Sequence, residues 1–178
     1  RGLLNKAIEL DDNLISAKLQ LGISYKEMGD NDEAMKIFSL ALKQSEELSN
    51  KAGVGATLIN IGNVHLFQGD YNKALDYYAR SLAIQEEIGD KFGMGDNLNN
   101  IGIVHHYKGD LDKALDYYGR SLAIKEELGD KRGMGNSLNN IGAVHHHKGD
   151  LDKALDYYGR SLTIQEELGD KYGMGASL

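Results

Sequence analysis

Apolar residues along this chain recur at helical spacing in two blocks that alternate with short polar segments. In one block Leu98, Ile101 and Val104 lie three residues apart, and a second block with similar spacing runs from Leu111 to Leu122. Spacings of three and four residues place apolar side chains on one face of an α-helix. The pattern therefore predicts two helices in succession and an all-α fold.

This pair of helices is repeated along the chain. Gly-Asp dipeptides recur every 40 residues, at Gly29-Asp30, Gly69-Asp70, Gly109-Asp110 and Gly149-Asp150. Residues 89–128 and 129–168 agree at 33 of 40 positions, whereas residues 11–50 keep only the skeleton. A fixed period of this length is typical of a helical solenoid.

The period divides the chain into a single solenoid fragment, 1–178. We expect the second helix of a preceding repeat at 1–10 and the start of a further repeat at 171–178. The four repeats between them are predicted at 11–50, 51–90, 91–130 and 131–170. Because the chain opens at Arg1 and ends within the pattern, we expect it to be a piece of a longer protein.

Glycine and aspartate have local roles in this interpretation. Gly109 is predicted to end a first helix in the left-handed conformation, and the Asp110 carboxylate to cap the next helix. Asp116 and Arg120 form an i,i+4 pair on a solvated face. Small residues are predicted to let the paired helices approach closely. They form one column at Gly22, Gly62, Gly102 and Gly142, and a facing column at Ala34, Ala74, Ala114 and Ala154.

Charge and composition exclude several function classes. The 178 residues include 20 basic and 27 acidic side chains, for a net charge of −7 and no basic stripe, which argues against a nucleic-acid partner. No run of about 20 apolar residues is present, so no membrane partner is expected. The absence of cysteine rules out disulfides and thiolate catalysis. It also fits a reducing compartment, and we expect a cytoplasmic location.

These features resemble the tetratricopeptide repeat (TPR) family. The resemblance rests on the small Gly102 after Ile101, on Ala114 and Tyr118 in the second helix, and on the small Ser121. The family's usual unit has 34 residues and a Pro near its end, whereas this unit has 40 and no Pro. The Gly-Asp-Lys-x-Gly junction and the Asn-Asn-Ile-Gly segment resemble a long-repeat subclass found in Pins/LGN-type adaptors and in prokaryotic signalling proteins. The resemblance implies a right-handed α-solenoid of stacked antiparallel helix pairs.

It also implies that the first helices line a concave peptide-binding groove. The residues predicted to face it are Asn60, Asn63, Asn99, Asn100, Asn139, Asn140, His106 and His146. A carboxamide both donates and accepts hydrogen bonds, so Asn60, Asn100 and Asn140 form a ladder suited to the backbone of an extended peptide. The alternative is that these side chains tie one repeat to the next or cap local backbone.

The six histidines are clustered, but we expect no metal and no cofactor. Neighbouring residues on a helix point about 100° apart, so a run of three cannot converge on one ion. His106 and His146 are the best candidates to pair between repeats. Packed positions that the family usually fills with Tyr are predicted for His65, His105 and His145. Protonation in acid would then either change groove affinity or, if these rings are buried, destabilise the fold.

No catalytic constellation is evident. Ser81, Ser121 and Ser161 recur in a helix-packing column with no base opposite them, so we expect no enzyme activity. The sequence predicts a non-catalytic scaffold that binds an extended peptide segment or a helix of another protein. The alternative is a structural spacer or self-assembly module that stacks end to end through its terminal helices.

Overall fold

The computed structural model describes residues 14–169, and this part of the chain forms eight α-helices and no strand. The helices are α1 (Ile15–Glu27), α2 (Asn31–Glu47), α3 (Lys51–Phe67), α4 (Tyr71–Ile88), α5 (Lys91–Tyr107), α6 (Leu111–Leu128), α7 (Lys131–His147) and α8 (Leu151–Glu167). We call the first helix of each pair, α1, α3, α5 and α7, an A helix, and the second a B helix. The helices predicted at 1–10 and 171–178 lie outside the described residues.

The chain divides into two compact units, unit 1 (Arg1–Gly89) and unit 2 (Asp90–Leu178). In each unit successive helices pack on one another, and the two A helices are also in contact, α1 with α3 and α5 with α7. Such nearest-neighbour stacking of helix pairs is the α-solenoid class of fold. The described part of the chain is therefore all-α with stacked antiparallel pairs, as the sequence predicted.

Each unit has an apolar core where a B helix meets the following A helix. In unit 1 its buried members are Ala34, Phe38, Ile61 and Val64. In unit 2 the equivalent residues are Ala114, Tyr118, Ile141 and Val144. The A helix thus covers the apolar stripe that the preceding B helix cannot bury alone.

The turn glycines confirm the predicted helix ends. Gly109 follows α5 with φ +78°, and its N–H donates to the carbonyl of His106. Ser49 occupies the position that Gly89 and Gly129 hold in the later repeats, and it too has a positive φ, of 51°. Positive φ is unfavourable for a residue with a Cβ, so the junction after α2 carries strain that the later junctions lack.

The predicted cap by Asp110 is wrong in its hydrogen bond. Asp110 is the N-cap residue of α6, but its side chain makes no capping bond. Its Oδ2 instead lies 3.1 Å from Nδ1 of His105. Asp70 does cap, because its Oδ1 accepts from the backbone N–H of Lys73 at 3.3 Å. A histidine that packs beside the turn therefore competes with the helix for the carboxylate.

The small-residue contact also differs from the prediction. A Cβ added to Gly102 would lie 2.6 Å from the ring of Tyr118. The nearest atoms to the column of glycines are thus ring atoms one turn beyond the predicted alanines, at Phe38, Tyr78, Tyr118 and Tyr158. Ala114 is buried, with 0% of its surface exposed. The glycine makes room for an aromatic ring, which explains why the residue that contacts it on the B helix is large rather than small.

Candidate functional site

In unit 2 two of the predicted groove residues form a hydrogen bond between their side-chain amides. Asn140 Nδ2 on α7 donates to Asn99 Oδ1 on α5 at 3.0 Å, and both side chains are half-buried. Asn100 and Asn139 are half-buried neighbours on the same two helices. The bonded pair is 41 residues apart rather than 40.

The same offset decides which histidines meet. His106 Nε2 lies 3.2 Å from His147 Nδ1, and their rings meet edge to face with centroids 5.4 Å apart. The pairing of His106 with His146 expected from the 40-residue repeat is therefore replaced by one with His147, while His146 is exposed. Comparing equivalent columns missed His147, because contact between A helices here shifts by one residue.

The environment of His106 favours its neutral form. Partial burial, followed by the nearby His147, lowers the pKa of His106 below its ordinary value. Two neutral imidazoles can share one N–H···N hydrogen bond, with one ring as donor and the other as acceptor.

In unit 1 the predicted groove residues bond within their own helix pair. Asn60 Nδ2 donates to the carbonyl of Ala56 one turn earlier, at 2.9 Å. Asn63 Oδ1 accepts from the Tyr78 hydroxyl at 2.6 Å, and burial raises the pKa of that hydroxyl. The local-capping role left open for the ladder is thus present at Asn60, and the repeat-tying role is present at Asn140.

The second set of histidines is packed, as predicted. Their rings stack on tyrosines of the B helix, with centroid distances of 5.4 Å for His65–Tyr77, 5.3 Å for His105–Tyr117 and 5.5 Å for His145–Tyr157. An arginine guanidinium also lies over each tyrosine ring, at Arg80, Arg120 and Arg160. These histidines therefore support the packing of each A helix on its B helix.

The serine column is structural. The hydroxyls of Ser81, Ser121 and Ser161 are buried and donate to the A-helix carbonyls of Gly55, Gly95 and Gly135 at 2.7–2.9 Å. Between residues 14 and 169 no group of three or more His, Asp or Glu side chains is arranged to hold a metal ion. Over the same residues no helix is long and apolar enough to cross a membrane.

Comparison with known protein families identifies the family to which these helix pairs belong. Residues 13–87 and 93–167 match the tetratricopeptide repeat family. The chain belongs to the tetratricopeptide repeat family. TPR domains are helical scaffolds typical of protein–protein interaction and are generally non-catalytic.

Solved structures share the TPR fold at low sequence identity. BtubC (BKLC) from P. vanneervenii is 24% identical with a TM-score of 0.76, over 89% of this chain and 66% of that one. A Rap protein solved in complex with competence and sporulation factor is 17% identical with a TM-score of 0.86, over 92% and 46%. MamA is 20% identical with a TM-score of 0.65, over 93% and 86%. This chain thus spans just under two thirds of BtubC and less than half of the Rap protein.

At sequence identities this low, the similarity shows a shared fold only. No curated protein matches the sequence.

Proposed function

We propose that this TPR domain binds an extended peptide segment of a partner protein on its A-helix face and performs no chemistry of its own. The observation that supports this most directly is the amide pair in unit 2. The bond from Asn140 to Asn99 uses one polar atom of each carboxamide. Asn140 Oδ1 remains as an acceptor and Asn99 Nδ2 as a donor, on side chains that are only half-buried.

An acceptor on one amide and a donor on its bonded partner can pair with the N–H and C=O groups of an extended backbone. The bond between the two amides also holds both rotamers, so less side-chain entropy is lost when a peptide binds. Such a site binds the backbone of a peptide and does not distinguish between its side chains. Asn100 on α5 and Asn139 on α7 extend the same polar surface, and His106 and His146 lie toward the ends of those helices.

In unit 1 the predicted groove amides are not bonded to each other as they are in unit 2. Asn60 and Asn63 each commit one polar atom inside the unit, which leaves Asn60 Oδ1 and Asn63 Nδ2 for a ligand. Related folds support a binding role, since the similar Rap protein was solved with competence and sporulation factor bound. We also place the repeats in the 40-residue subclass resembling Pins/LGN-type adaptors, on the basis of the period and the Asn-Asn-Ile-Gly segment.

The test is selection of a displayed random-peptide library on the wild type and on the Asn99→Ala/Asn140→Ala variant in parallel. Losing two neutral hydrogen bonds should weaken enriched peptides about tenfold. Asn72→Ala is the matched control, because Asn72 is exposed on a B helix of unit 1, and it should bind like the wild type. Far-UV circular dichroism confirms that all three proteins are folded.

An enriched motif that binds the double variant as well as the wild type would contradict use of the amide pair. If no motif is enriched on the wild type, the peptide-binding proposal fails.

A second candidate function is end-to-end self-assembly, and the B helix α8 favours it. Leu151 and Leu155 on α8 are 57% and 69% exposed. The equivalent Leu111 and Leu115 on α6 pack against the core that α7 completes. If a second copy covers the α8 face, sedimentation should show mass rising with concentration, and Leu155→Lys should keep the chain monomeric. A wild type that stays monomeric at all concentrations excludes this candidate.

A further inference from the structure

The two nearest histidines of unit 2 hold their ring nitrogens at a spacing that a metal ion can bridge. His106 Nε2 and His147 Nδ1 are 3.2 Å apart. Two nitrogens bound to one ion at about 2.0–2.1 Å and near the tetrahedral angle are roughly 3.3–3.4 Å apart. We propose that His106 and His147 form a binding site for one divalent transition-metal ion of the class that prefers imidazole, such as Zn²⁺, Ni²⁺ or Cu²⁺, bridging α5 and α7.

The ligand chemistry fits an open site. Imidazole nitrogen suits zinc, copper and nickel, and it binds in its neutral form. An ion that binds both nitrogens lies beside the line that joins them, so both rings turn slightly to direct their lone pairs at it. The ring that donates in the hydrogen bond moves its proton to its other nitrogen, so that both ligands are neutral imidazoles. Two protein ligands leave the remaining coordination positions to water or to a group from a bound partner. No metal is expected from the sequence alone, because neighbouring histidines on one helix point about 100° apart. His106 and His147 come from two different helices, so this restriction does not apply to them.

The other histidines are placed differently. Nδ1 of His105 and Nδ1 of His145 lie against Asp110 and Asp150, at 3.1 and 3.3 Å. His146 is exposed beside His147 on α7 but points away from it by one helical step of about 100°. The site therefore requires His106 and His147 and does not follow from the number of histidines alone.

Unit 1 offers an internal comparison in the same register. There the residues 41 apart at the ends of the A helices are Lys26 and Phe67, and the Lys26 ammonium lies 5.2 Å from the Phe67 ring centroid. A cation–π contact joins α1 to α3 where the histidine pair joins α5 to α7. The same position therefore joins the two A helices in both units. Only in unit 2 are its side chains imidazoles that can bind a metal ion.

The experiment is calorimetric titration of the tag-free chain with ZnCl₂, NiCl₂ or CuCl₂, one salt at a time and without peptide. We expect one ion per chain. His106→Gln and His147→Gln should each lower the association constant by about tenfold or more, since even the loss of outer-shell partners costs that much. His146→Gln removes one neighbouring histidine and should leave binding unchanged. Electron paramagnetic resonance of the Cu²⁺ complex should show coupling to two imidazole nitrogens.

A folded control separates ligand loss from structural damage. His147→Phe places at this position the residue that unit 1 has at Phe67, so the ring packing is kept and the nitrogens are lost. It should keep the wild-type circular dichroism spectrum and lose the rise in unfolding midpoint that metal gives the wild type. The proposal is overturned if the wild type binds no ion at millimolar metal, if His146→Gln weakens binding as much as His147→Gln, or if His147→Phe still binds. Because no peptide is present, these results are independent of the proposed peptide-binding function.

Discussion

Unit 1 and unit 2 contain the same Gly-Asp turn after an A helix but use its carboxylate differently. In unit 1 Asp70 accepts from the Lys73 N–H and pairs with the Lys73 ammonium at 2.8 Å. His65 then stacks on Tyr77 with its buried Nδ1 lacking a hydrogen-bond partner.

In unit 2 the equivalent carboxylate of Asp110 turns to His105 and leaves the helix N-terminus without a side-chain cap. A hydrogen bond gained by the packed histidine is therefore a cap lost by the next helix. Near-identical sequence does not guarantee identical contacts, because two partners compete for one carboxylate.

The largest effect on stability should come from the close contact between an A-helix glycine and a B-helix tyrosine ring, which both units share. Gly62→Ala and Gly102→Ala each place a Cβ 2.6 Å from a buried tyrosine ring, so each should destabilise the chain by about 2–3 kcal/mol. Gly119→Ala is the matched control, since Gly119 lies in open space on a B helix where unit 1 already has Ala79. It should stabilise by up to about 1 kcal/mol.

Urea unfolding measures all three variants. Equal and small effects at Gly62 and Gly102 would mean that the rings can move, which would contradict the close packing described for both units.

The next largest effect tests an ion pair between a buried lysine and a half-exposed aspartate, which unit 1 lacks. The Lys125 side chain is only 5% exposed, and its ammonium is 3.0 Å from Asp96. Unit 1 has Gln85 and Ala56 at these positions. Asp96→Ala leaves the ammonium without its carboxylate and should cost about 2 kcal/mol, less than for a fully buried pair because Asp96 is half-exposed.

The double variant Lys125→Gln/Asp96→Ala converts this site to the unit 1 residues and should recover most of that loss. A double-mutant cycle by urea unfolding gives the coupling. Additive losses from the two substitutions would show that the pair does not interact.

Lowering the pH should reduce the stabilising contributions of the two turns in different pH ranges. Burial first, and then the Lys73 charge, lowers the pKa of His65. The unfolded chain therefore binds more protons at His65 than the folded chain does, and stability contributed by the neutral ring is lost as pH falls below about 6.5. The Asp110 pKa is lowered chiefly by its bond to His105, so that contribution persists until pH falls below about 4.

His65→Tyr should accordingly flatten the dependence of unfolding free energy on pH between 7 and 5. Gly119→Ala, which changes no titratable group, should leave the slope as it is. An unchanged slope in His65→Tyr would show that this ring does not resist protonation.

How far the sequence predicts these contacts depends on whether they lie along one helix or between helices. Helical spacing and the Gly-Asp period predict the helix pairs and the left-handed Gly109, because both are properties of a few successive residues. The contact of His106 with His147 depends on the rotation between neighbouring A helices, which the period does not encode. The contact of Gly102 with Tyr118 depends similarly on how two helices cross. Apart from the side-chain cap at Asp110, local structure was thus predictable, and the contacts predicted between helices at His106 and Gly102 were displaced by one residue and by one turn.

The smallest expected effect concerns the one described junction where unit 1 departs from the glycine pattern. Ser49 has φ 51°, whereas Gly89 and Gly129 hold this position with φ 70° and 66°. Ser49→Gly removes a Cβ from a left-handed backbone, a gain partly offset by the greater freedom of glycine in the unfolded chain. We expect a net stabilisation of a few tenths to about 1 kcal/mol.

Gly129→Ser is the reciprocal change in unit 2 and should destabilise by a similar amount. Urea unfolding of both variants decides the point. If Ser49→Gly is neutral while Gly129→Ser is costly, the serine hydroxyl makes a compensating interaction at the first junction. Strain from the side chain would then not distinguish the two units, and their difference would rest on the histidine, lysine and aspartate contacts alone.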